Sequence, residues 1–238
     1  MQGVTYCYIR SLNVHCTSIN FRFVGFSVFE NMLRIKICGI TNIEDAAAAI
    51  EYGADAIGFV FQPKSPRTVT PETAKTIISS IPPFITTVGV FVDEDKAQIE
   101  KIVRHTGLNV IQLHGSESPE ACNLCRKVIK AIRVKDLTDL EPLRTYNVPA
   151  FLLDTYSPSS IGGTGRIFNW DIAVEAKKFG RIILAGGLTP QNVEEAIKWV
   201  QPFGIDVATG VEGRQKGKKD HRKMKLFIEN ARKALGYA

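Results

Sequence analysis

From residue 33 onward, the sequence alternates eight times between short apolar, β-branched segments and segments with helical periodicity. The predicted strands are Leu33–Cys38, Ala54–Phe61, Ile85–Val92, Asn109–His114, Val128–Val134, Ala150–Asp154, Arg181–Ala185 and Gly204–Ala208. Strands this apolar are buried on both faces, which indicates a parallel sheet covered by helices. Eight such units in about two hundred residues can close into a (β/α)8 barrel. An open doubly wound sheet is the competitor, but its GxGxxG fingerprint is absent after the first strand. We therefore predict an α/β fold with a single TIM barrel.

Eight helical segments alternate with these strands. They are Ile43–Tyr52, Pro71–Ile81, Asp95–His105, Pro119–Arg126, Asp139–Tyr146, Asp171–Phe179, Pro190–Val200 and His221–Leu235. Several begin with a capping residue or a first-turn proline, and either Thr41 or Asn42 is placed to cap the first helix. No linker rich in Gly, Ser or Pro divides the sequence, so residues 32–238 are predicted to form one domain.

Residues 1–31 lack this pattern. They hold few acidic residues and no sustained periodicity, and Met32 stands directly before the first predicted strand. We expect an unstructured extension or a mis-assigned start, with a transit peptide as the alternative. No apolar run approaches the ~20 residues that a membrane span needs. We therefore predict no membrane contact and a cytoplasmic location.

Much of the net charge of +6 comes from one basic segment, Gly213 to Lys225. It could contact nucleic acid or a phosphorylated metabolite, but a solvated surface is the commoner explanation for such a run. No aromatic residues are interleaved with it, so nucleic acid is not an expected partner.

The five cysteines are an odd number, which argues against a disulfide framework and favours a reducing compartment. Cys122 and Cys125 form a CxxC motif, but no second pair stands at zinc-ligand spacing, so no metal site is predicted. We expect both thiols to lie half-buried in one helix, a turn apart, with a redox role as the alternative.

In a barrel, the carboxyl ends of the strands surround one pocket. Two groups that can exchange protons lie at such ends, Cys38 after the first strand and Asp154 after the sixth. On pattern alone, Asp154 is equally well explained as the cap of the next segment. The last two strands are followed by Gly186-Gly187 and Thr209-Gly210. Adjacent loops of this kind favour phosphate binding on backbone N–H groups, although tight turns would explain each glycine singly.

Five segments give a more specific signal. They are Lys36-Ile-Cys-Gly-Ile-Thr41, Gly53-Ala-Asp-Ala-Ile-Gly-Phe-Val-Phe61 with Pro63-Lys-Ser-Pro-Arg67, Gln112-Leu-His-Gly115, Leu152-Leu-Asp-Thr155 with Gly162-Gly-Thr-Gly165, and Ala185-Gly-Gly-Leu188. In these segments and in their order, the chain from Met32 onward resembles phosphoribosylanthranilate isomerase, a ribulose-phosphate-binding barrel enzyme of tryptophan biosynthesis.

The resemblance implies a small-molecule substrate and an Amadori rearrangement. N-(5-phosphoribosyl)anthranilate would become 1-(2-carboxyphenylamino)-1-deoxyribulose 5-phosphate. Cys38 would be the general base, Asp154 the general acid and Arg67 the ligand of the anthranilate carboxylate. For such a base we expect a depressed pKa at Cys38, and for such an acid a raised pKa at Asp154. Because the rearrangement is proton transfer alone, no metal and no organic cofactor are implied.

Gln112, His114 and Asp206 are predicted to line the pocket, from strand position and from the resemblance. A histidine in such a place is equally well explained as a hydrogen-bonded structural residue. The loop Gly162–Gly165 is expected to fold over the pocket and exclude water. After Glu212 the chain departs from the family pattern, because the loop is one residue longer and lacks a proline. Its rigidity and its phosphate contacts therefore do not follow from the resemblance. A monomer or a homodimer is expected.

Other functions stay open at this point. One alternative is another phosphosugar-isomerising barrel, such as the histidine-pathway sugar isomerase or indole-glycerol-phosphate synthase. The former needs paired aspartates where this sequence has Cys38 and Val134, and the latter needs a lysine general acid that no predicted strand end offers. A further alternative is a catalytically silent module that binds an anionic partner through the basic segment.

Overall fold

The computed structural model describes residues 33–155 and 170–236. Its strands are β1 Arg34–Cys38, β2 Ala56–Val60, β3 Thr86–Phe91, β4 Val110–Leu113, β5 Lys127–Val134, β6 Ala150–Thr155, β7 Ile182–Leu184 and β8 Gly204–Val207. Its α-helices are α1 Ile43–Glu51, α2 Pro71–Ser80, α3 Lys96–Thr106, α4 Trp170–Ala176, α5 Val193–Val200 and α6 His221–Lys233. Short 3-10 helices span Glu120–Cys122, Leu137–Thr145, Lys177–Phe179 and Thr209–Val211.

The eight strands form one closed parallel barrel in chain order, which confirms the predicted fold class. The ring closes where β1 pairs with β8, with Lys36 opposite Asp206 and Ile37 opposite Val207. Every predicted strand is present, and its bounds differ from the prediction by no more than two residues. Short apolar runs mark these strands in the sequence because each strand is buried on both faces.

Side chains on each strand alternate between the barrel interior and the surrounding helices. Those that face the helices join one large core together with helix residues. Those that face the interior form two small clusters, which consist of Ala131, Ala150, Leu152, Ile183 and Ala185, and of Cys38, Val60 and Val90. On β1, Lys36 shares the interior register with Cys38 because the two are two residues apart.

The cap of α1 resolves an alternative that the sequence left open. The side chain of Asn42 accepts a hydrogen bond from the backbone N–H of Asp45 at 2.7 Å. Thr41 instead donates its hydroxyl to the carbonyl of Gly217 at 3.0 Å. Asn42 is therefore the cap, and Thr41 ties the loop after β1 to the loop after β8.

The fourth predicted helix, Pro119–Arg126, is wrong, because only Glu120–Cys122 forms a single 3-10 turn. Pro119, before this turn, makes no capping hydrogen bond, and the backbone leaves helical geometry at Asn123, where φ is −80° and ψ is 83°. The expectation that Cys122 and Cys125 share a helical turn is wrong, because the turn ends at Cys122. Cys122 is half-buried as expected, whereas Cys125 is exposed.

The fifth predicted helix is a 3-10 helix, Leu137–Thr145, rather than an α-helix. Asp136 and Asp139 form a capping box at its start. Pro142 lies inside it and offers no N–H for an α-helical hydrogen bond, which favours the tighter winding.

A buried ion pair outside the barrel interior holds the loop after β4. Glu117 accepts hydrogen bonds from the backbone N–H groups of Asp93 and Gly115 and from Lys130 Nζ, the last at 2.7 Å. Lys130 lies on the face of β5 that points toward the helices, together with Val128 and Val134 of the large core. Burial alone would raise the pKa of Glu117, but the Lys130 ammonium and the backbone donors lower it overall.

Within residues 33–155 and 170–236, no helix has the length and apolar character needed to cross a membrane.

Candidate active site

Cys38 ends β1 on the interior register, and only 6% of the residue is exposed. Lys36, two positions earlier on the same face, donates from Nζ to Asp206 Oδ1 on β8 at 2.7 Å. Both members of this ion pair are buried. Val60 and Val90 pack against the thiol. Cys38 therefore borders both an apolar cluster and a buried ion pair, and the structure brings Cys38 and Asp206 together as the sequence predicted.

Burial raises the pKa of the Cys38 thiol above its ordinary value, and the Lys36 ammonium opposes that rise. The predicted depression of the Cys38 pKa is therefore wrong. The physical reason is that the thiolate would lose its hydration inside the barrel. The lysine offsets only part of this cost, because its charge is already paired with Asp206.

A second chain of polar groups connects β4 with β6. Asp154 lies in β6 on the interior register and is half-buried. His114, directly after β4, places Nε2 3.2 Å from Asp154 Oδ2. The side-chain Nε2 of Gln112 lies 2.9 Å from His114 Nδ1. Since the amide nitrogen can only donate, Nδ1 accepts and the proton of a neutral ring sits on Nε2, from which it is donated to Asp154.

Gln112 adds one unusual detail to this chain. Its Oε1 is the only buried side-chain oxygen or nitrogen in the described part of the chain that has no hydrogen-bond partner. The amide therefore donates a hydrogen bond to His114, and its carbonyl oxygen accepts none from the described residues. Gln112, His114 and Asp154, predicted separately from three positions, form one connected unit.

Arg67, in the loop after β2, binds the carboxylate of Glu212 with two hydrogen bonds, from Nε at 2.6 Å and from Nη2 at 2.9 Å. Its Nη2 also lies 2.9 Å from Thr209 Oγ1. Gly39 leaves room for this side chain: its φ of +76° suits glycine, and a Cβ there would collide with Arg67 Cδ. Burial alone would raise the pKa of Glu212, but Arg67 and the charge of Lys219 lower it overall.

The glycine-bearing loops after β7 and β8 lie against each other. Gly186 and Gly187 have φ values of 74° and 68°, and a Cβ on Gly187 would meet open space. Gly210 is pressed against the backbone of Leu188, so a side chain at that position would collide with the carbonyl. Phosphate binding by Gly186, Gly187, Thr209 and Gly210 stays a prediction.

The longer loop after Glu212 is closed into a hairpin. Glu212 and Lys219 pair as an antiparallel bridge, and the N–H of Gly213 donates to the carbonyl of Lys218 at 3.2 Å. Gly217 accepts the Thr41 hydroxyl and packs closely against the carbonyl of Pro66. The extra residue is thus accommodated while the loop stays attached to the loops after β1 and β2.

Lys219 differs from the rest of the basic segment. Its side chain is fully buried, and Nζ donates to the carbonyl of Ala208 at 3.1 Å and to Glu212 at 3.4 Å. The explanation of the segment as a solvated surface is therefore wrong for Lys219. It holds for Arg214, Lys216 and Lys218, which are exposed.

Four residues near the site were not predicted: Lys36, Arg133, Glu212 and Lys219. Two of them had a signal in the sequence. Lys36 is two residues from Cys38 and so must share its face, and Arg133 is two residues from the interior residue Ala131 and opposite Asp154 in register. Glu212 and Lys219 had none. Glu212 is buried by its contact with Arg67, which lies 145 residues away in sequence, and nothing in the basic segment distinguishes Lys219 from its exposed neighbours.

Two expectations concern residues outside those that the structure describes, namely the extension 1–31 and the loop Gly162–Gly165. Among the described residues, no group of three or more His, Cys, Asp or Glu side chains could hold a metal ion.

Comparison with known proteins gives one consistent result. Residues 35–230 match the family model described as N-(5'phosphoribosyl)anthranilate (PRA) isomerase. The N-(5'-phosphoribosyl)anthranilate isomerase of Geobacter sulfurreducens is 54% identical over 202 residues, which cover 84% of this chain and 99% of the relative. The enzyme of Trichlorobacter lovleyi is 51% identical over 206 residues, which cover 86% of this chain and 100% of the relative.

Solved structures agree with this match. The crystal structure of phosphoribosyl anthranilate isomerase from Thermotoga maritima superposes with a TM-score of 0.79 at 45% identity, over 85% of this chain and 100% of that one. A structure of such an isomerase in complex with reduced 1-(o-carboxyphenylamino)-1-deoxyribulose 5-phosphate has a TM-score of 0.76 at 43% identity and the same coverage. A structure described as monomers of the dimeric isomerase from T. maritima has a TM-score of 0.75 at 41% identity, with the same coverage.

Proposed function

Since the chain belongs to the N-(5'-phosphoribosyl)anthranilate isomerase family, we propose that it catalyses the Amadori rearrangement of tryptophan biosynthesis at the mouth of its barrel. The substrate is N-(5-phosphoribosyl)anthranilate, and the product is 1-(2-carboxyphenylamino)-1-deoxyribulose 5-phosphate. The observation that carries the assignment of roles is that the Cys38 thiol and the Asp154 carboxyl group both lie on the interior register, the thiol beside the Lys36–Asp206 pair and the carboxyl group beside His114. Residues 32–238 form the catalytic unit of this proposal.

Asp154 is the general acid. It gives a proton to the furanose ring oxygen, the C1′–O bond breaks, and the sugar opens to a protonated Schiff base. Asp154 suits this task because it is half-buried and held by His114 Nε2 at 3.2 Å, so its carboxyl group points in a fixed direction. A positioned acid of this kind contributes about 10²–10⁴-fold to the rate.

Cys38 is the general base. It removes the C2′ proton, which the iminium has made acidic, and leaves an enolamine that tautomerises to the ketone. The thiol borders an apolar cluster and the Lys36–Asp206 pair, so the proton transfer takes place away from bulk water. The proton count balances, since the substrate gains one proton on oxygen, loses one from carbon and has the same composition afterwards.

Arg67 binds the anthranilate carboxylate. Glu212 and Thr209 occupy Nε and Nη2, whereas Nη1 has no hydrogen-bond partner among residues 33–155 and 170–236. The guanidinium is therefore held in one orientation with donors to spare. Gln112, His114 and Asp206 line the pocket, and the loops with Gly186, Gly187, Thr209 and Gly210 hold the phosphate.

We place the reaction in the cytoplasm, with the protein as a monomer or a homodimer. The T. maritima relative is described as dimeric, which supports the second possibility. The Amadori steps move only protons, so the proposal includes no cofactor.

Complementation of a tryptophan auxotroph that lacks this isomerase tests the proposal. The unaltered chain should restore growth without tryptophan, Cys38→Ala and Asp154→Ala should not, and Cys125→Ala serves as a matched cysteine control that should grow normally. Failure of the unaltered chain would reject the reaction itself. Normal growth of either active-site variant would reject the role assigned to that residue.

A further inference from the structure

We propose that Lys36 is a positioning residue for the base: its ammonium, oriented by Asp206, stabilises the Cys38 thiolate that takes the proton from carbon. This inference rests on the proposed function, because it presumes that Cys38 acts as a base. It assigns a role to a buried cation that the two proton transfers do not themselves use. Lysine is otherwise rare in a barrel interior, since burial of a charge is costly unless the charge is paired.

The first support is the position of the ammonium. Lys36 and Cys38 are two residues apart on β1, and both side chains point into the barrel. The Nζ of Lys36 and the Sγ of Cys38 lie within 3.2 Å and 2.9 Å of the point where a Cβ on Gly58 would stand. The neighbouring strand therefore lacks a side chain at the place where the cation and the thiol meet, and any larger residue there would intrude on both.

The second support is the arrangement of charges around the thiol. Three charged groups face Cys38, namely Lys36 from β1, Asp206 from β8 and Lys219 from the hairpin after β8. β2 contributes only Gly58 and Val60 at this place. The ammonium of Lys219 is bound to Glu212 and to the carbonyl of Ala208. Lys36 is therefore the cation that lies beside the sulfur.

The third support is what Asp206 does to the lysine. A carboxylate at 2.7 Å holds one N–H of the ammonium and keeps Lys36 charged despite its burial. Without that partner, burial would favour a neutral amine, which could not stabilise a thiolate. The carboxylate also repels the thiolate, so the two neighbours of the sulfur act in opposite directions.

The test measures the ionisation of Cys38 by the pH dependence of its alkylation by iodoacetamide in the full-length protein, with the Cys38 peptide quantified by mass spectrometry. The Cys125 peptide of the same sample is an internal reference, because that thiol is exposed. In Lys36→Met, the Cys38 midpoint should move up by about one to three pH units. The Cys125 midpoint should not change in this variant.

Two further variants make the result decisive. Lys36→Met/Asp206→Asn removes both charges and leaves no unpaired ion, so it tests the inference even where Lys36→Met alone does not fold. The Cys38 midpoint of this double variant should still exceed that of the unaltered protein. Lys130→Met removes an equally buried lysine that faces away from the thiol and should leave the midpoint unchanged.

A purely structural lysine makes a different prediction. The double variant would then show the same Cys38 midpoint as the unaltered protein, and that result would overturn the inference. Failure of the proposed function is recognised separately: if Cys38→Ala keeps full activity, Cys38 is not the base, whatever Lys36 does to its ionisation. If Lys36 acts as inferred, kcat/KM of the double variant at neutral pH should fall by about 10- to 100-fold.

Discussion

Two buried lysine–carboxylate pairs in this barrel look alike by every local measure. Lys36–Asp206 and Lys130–Glu117 each have an N–O distance of 2.7 Å, and each has both side chains at least nine-tenths buried. They differ in where they point. Lys36 faces the barrel interior beside Cys38, whereas Lys130 faces the helices and ties the loop after β4 to β5. Burial and ion pairing alone therefore do not distinguish a candidate functional pair from a structural one. The distinction comes from the group that each pair faces, which is the Cys38 thiol for one pair and the loop after β4 for the other.

The largest expected effect is on stability at the pair outside the interior. Lys130→Met leaves the Glu117 carboxylate buried without its cation, so the free energy of unfolding should fall by about 3–5 kcal/mol. The kcat of the folded protein should not change. Denaturant unfolding and steady-state rates measure the two quantities.

Lys178→Met is a matched control for this prediction. It removes a cation from an ion pair of the same 2.7 Å length, but that pair is more than half exposed, so the expected cost is about 0–1 kcal/mol. Equal costs at Lys130 and Lys178 would show that burial does not set the energy of these pairs.

The next effect is on pH dependence at the interior pair. Burial raises the pKa of Cys38, so the thiolate fraction of Cys38 grows with pH until the solution passes that pKa. We expect the rate of Cys38 alkylation by iodoacetamide to rise by up to about tenfold per pH unit from neutral toward alkaline pH. Lys130→Met should follow the same curve. An alkylation rate that stays flat between about pH 7 and 9 would show that the Cys38 thiol is already ionised at neutral pH.

A smaller effect is expected at the Arg67–Glu212 pair, in which the carboxylate is buried and the arginine side chain is partly exposed. Glu212→Gln removes the charge that orients Arg67. The loss of a charge-assisted hydrogen bond costs about 1.5–3 kcal/mol, so KM should rise by about ten- to a hundredfold while kcat changes little. Glu194→Gln, at a solvent-exposed pair, should leave KM unchanged. A drop in kcat with constant KM would place Glu212 in the chemical step instead.

The smallest effect concerns the two thiols of the CxxC motif. Cys125→Ser should change the free energy of unfolding by less than about 0.5 kcal/mol, because Cys125 is exposed. The rate should be the same in reducing and oxidising buffer, with or without this substitution. A rate that responds to the redox potential only when Cys122 and Cys125 are both present would revive the redox role of the CxxC motif.

The barrel could be predicted from the sequence because each buried strand appears as a short apolar run of neighbouring residues. The same reasoning failed for the two connections beside β5, where the turn after Pro119 ends at Cys122 and Pro142 favours 3-10 winding. At the candidate site, Cys38 and Asp154 were predicted from strand ends, and the structure places both on the interior register. The partner of Arg67 could not be found, because Glu212 lies 145 residues away and meets it only in the folded barrel. The burial of Lys219 could not be found either, because its hairpin is held against Asp45, 174 residues away in sequence.

The Lys36–Asp206 contact joins residues 170 positions apart and crosses the seam between the first strand and the last. During translation at about 5–20 residues per second, roughly 10–30 s separate the synthesis of the two partners. Until β8 arrives, Cys38 has no oriented cation beside it and is an ordinary cysteine on an open edge. A nascent or truncated chain without β8 would therefore lack the activated base entirely. The pairing of β8 with β1 closes the barrel and places Asp206 beside Lys36 in the same event.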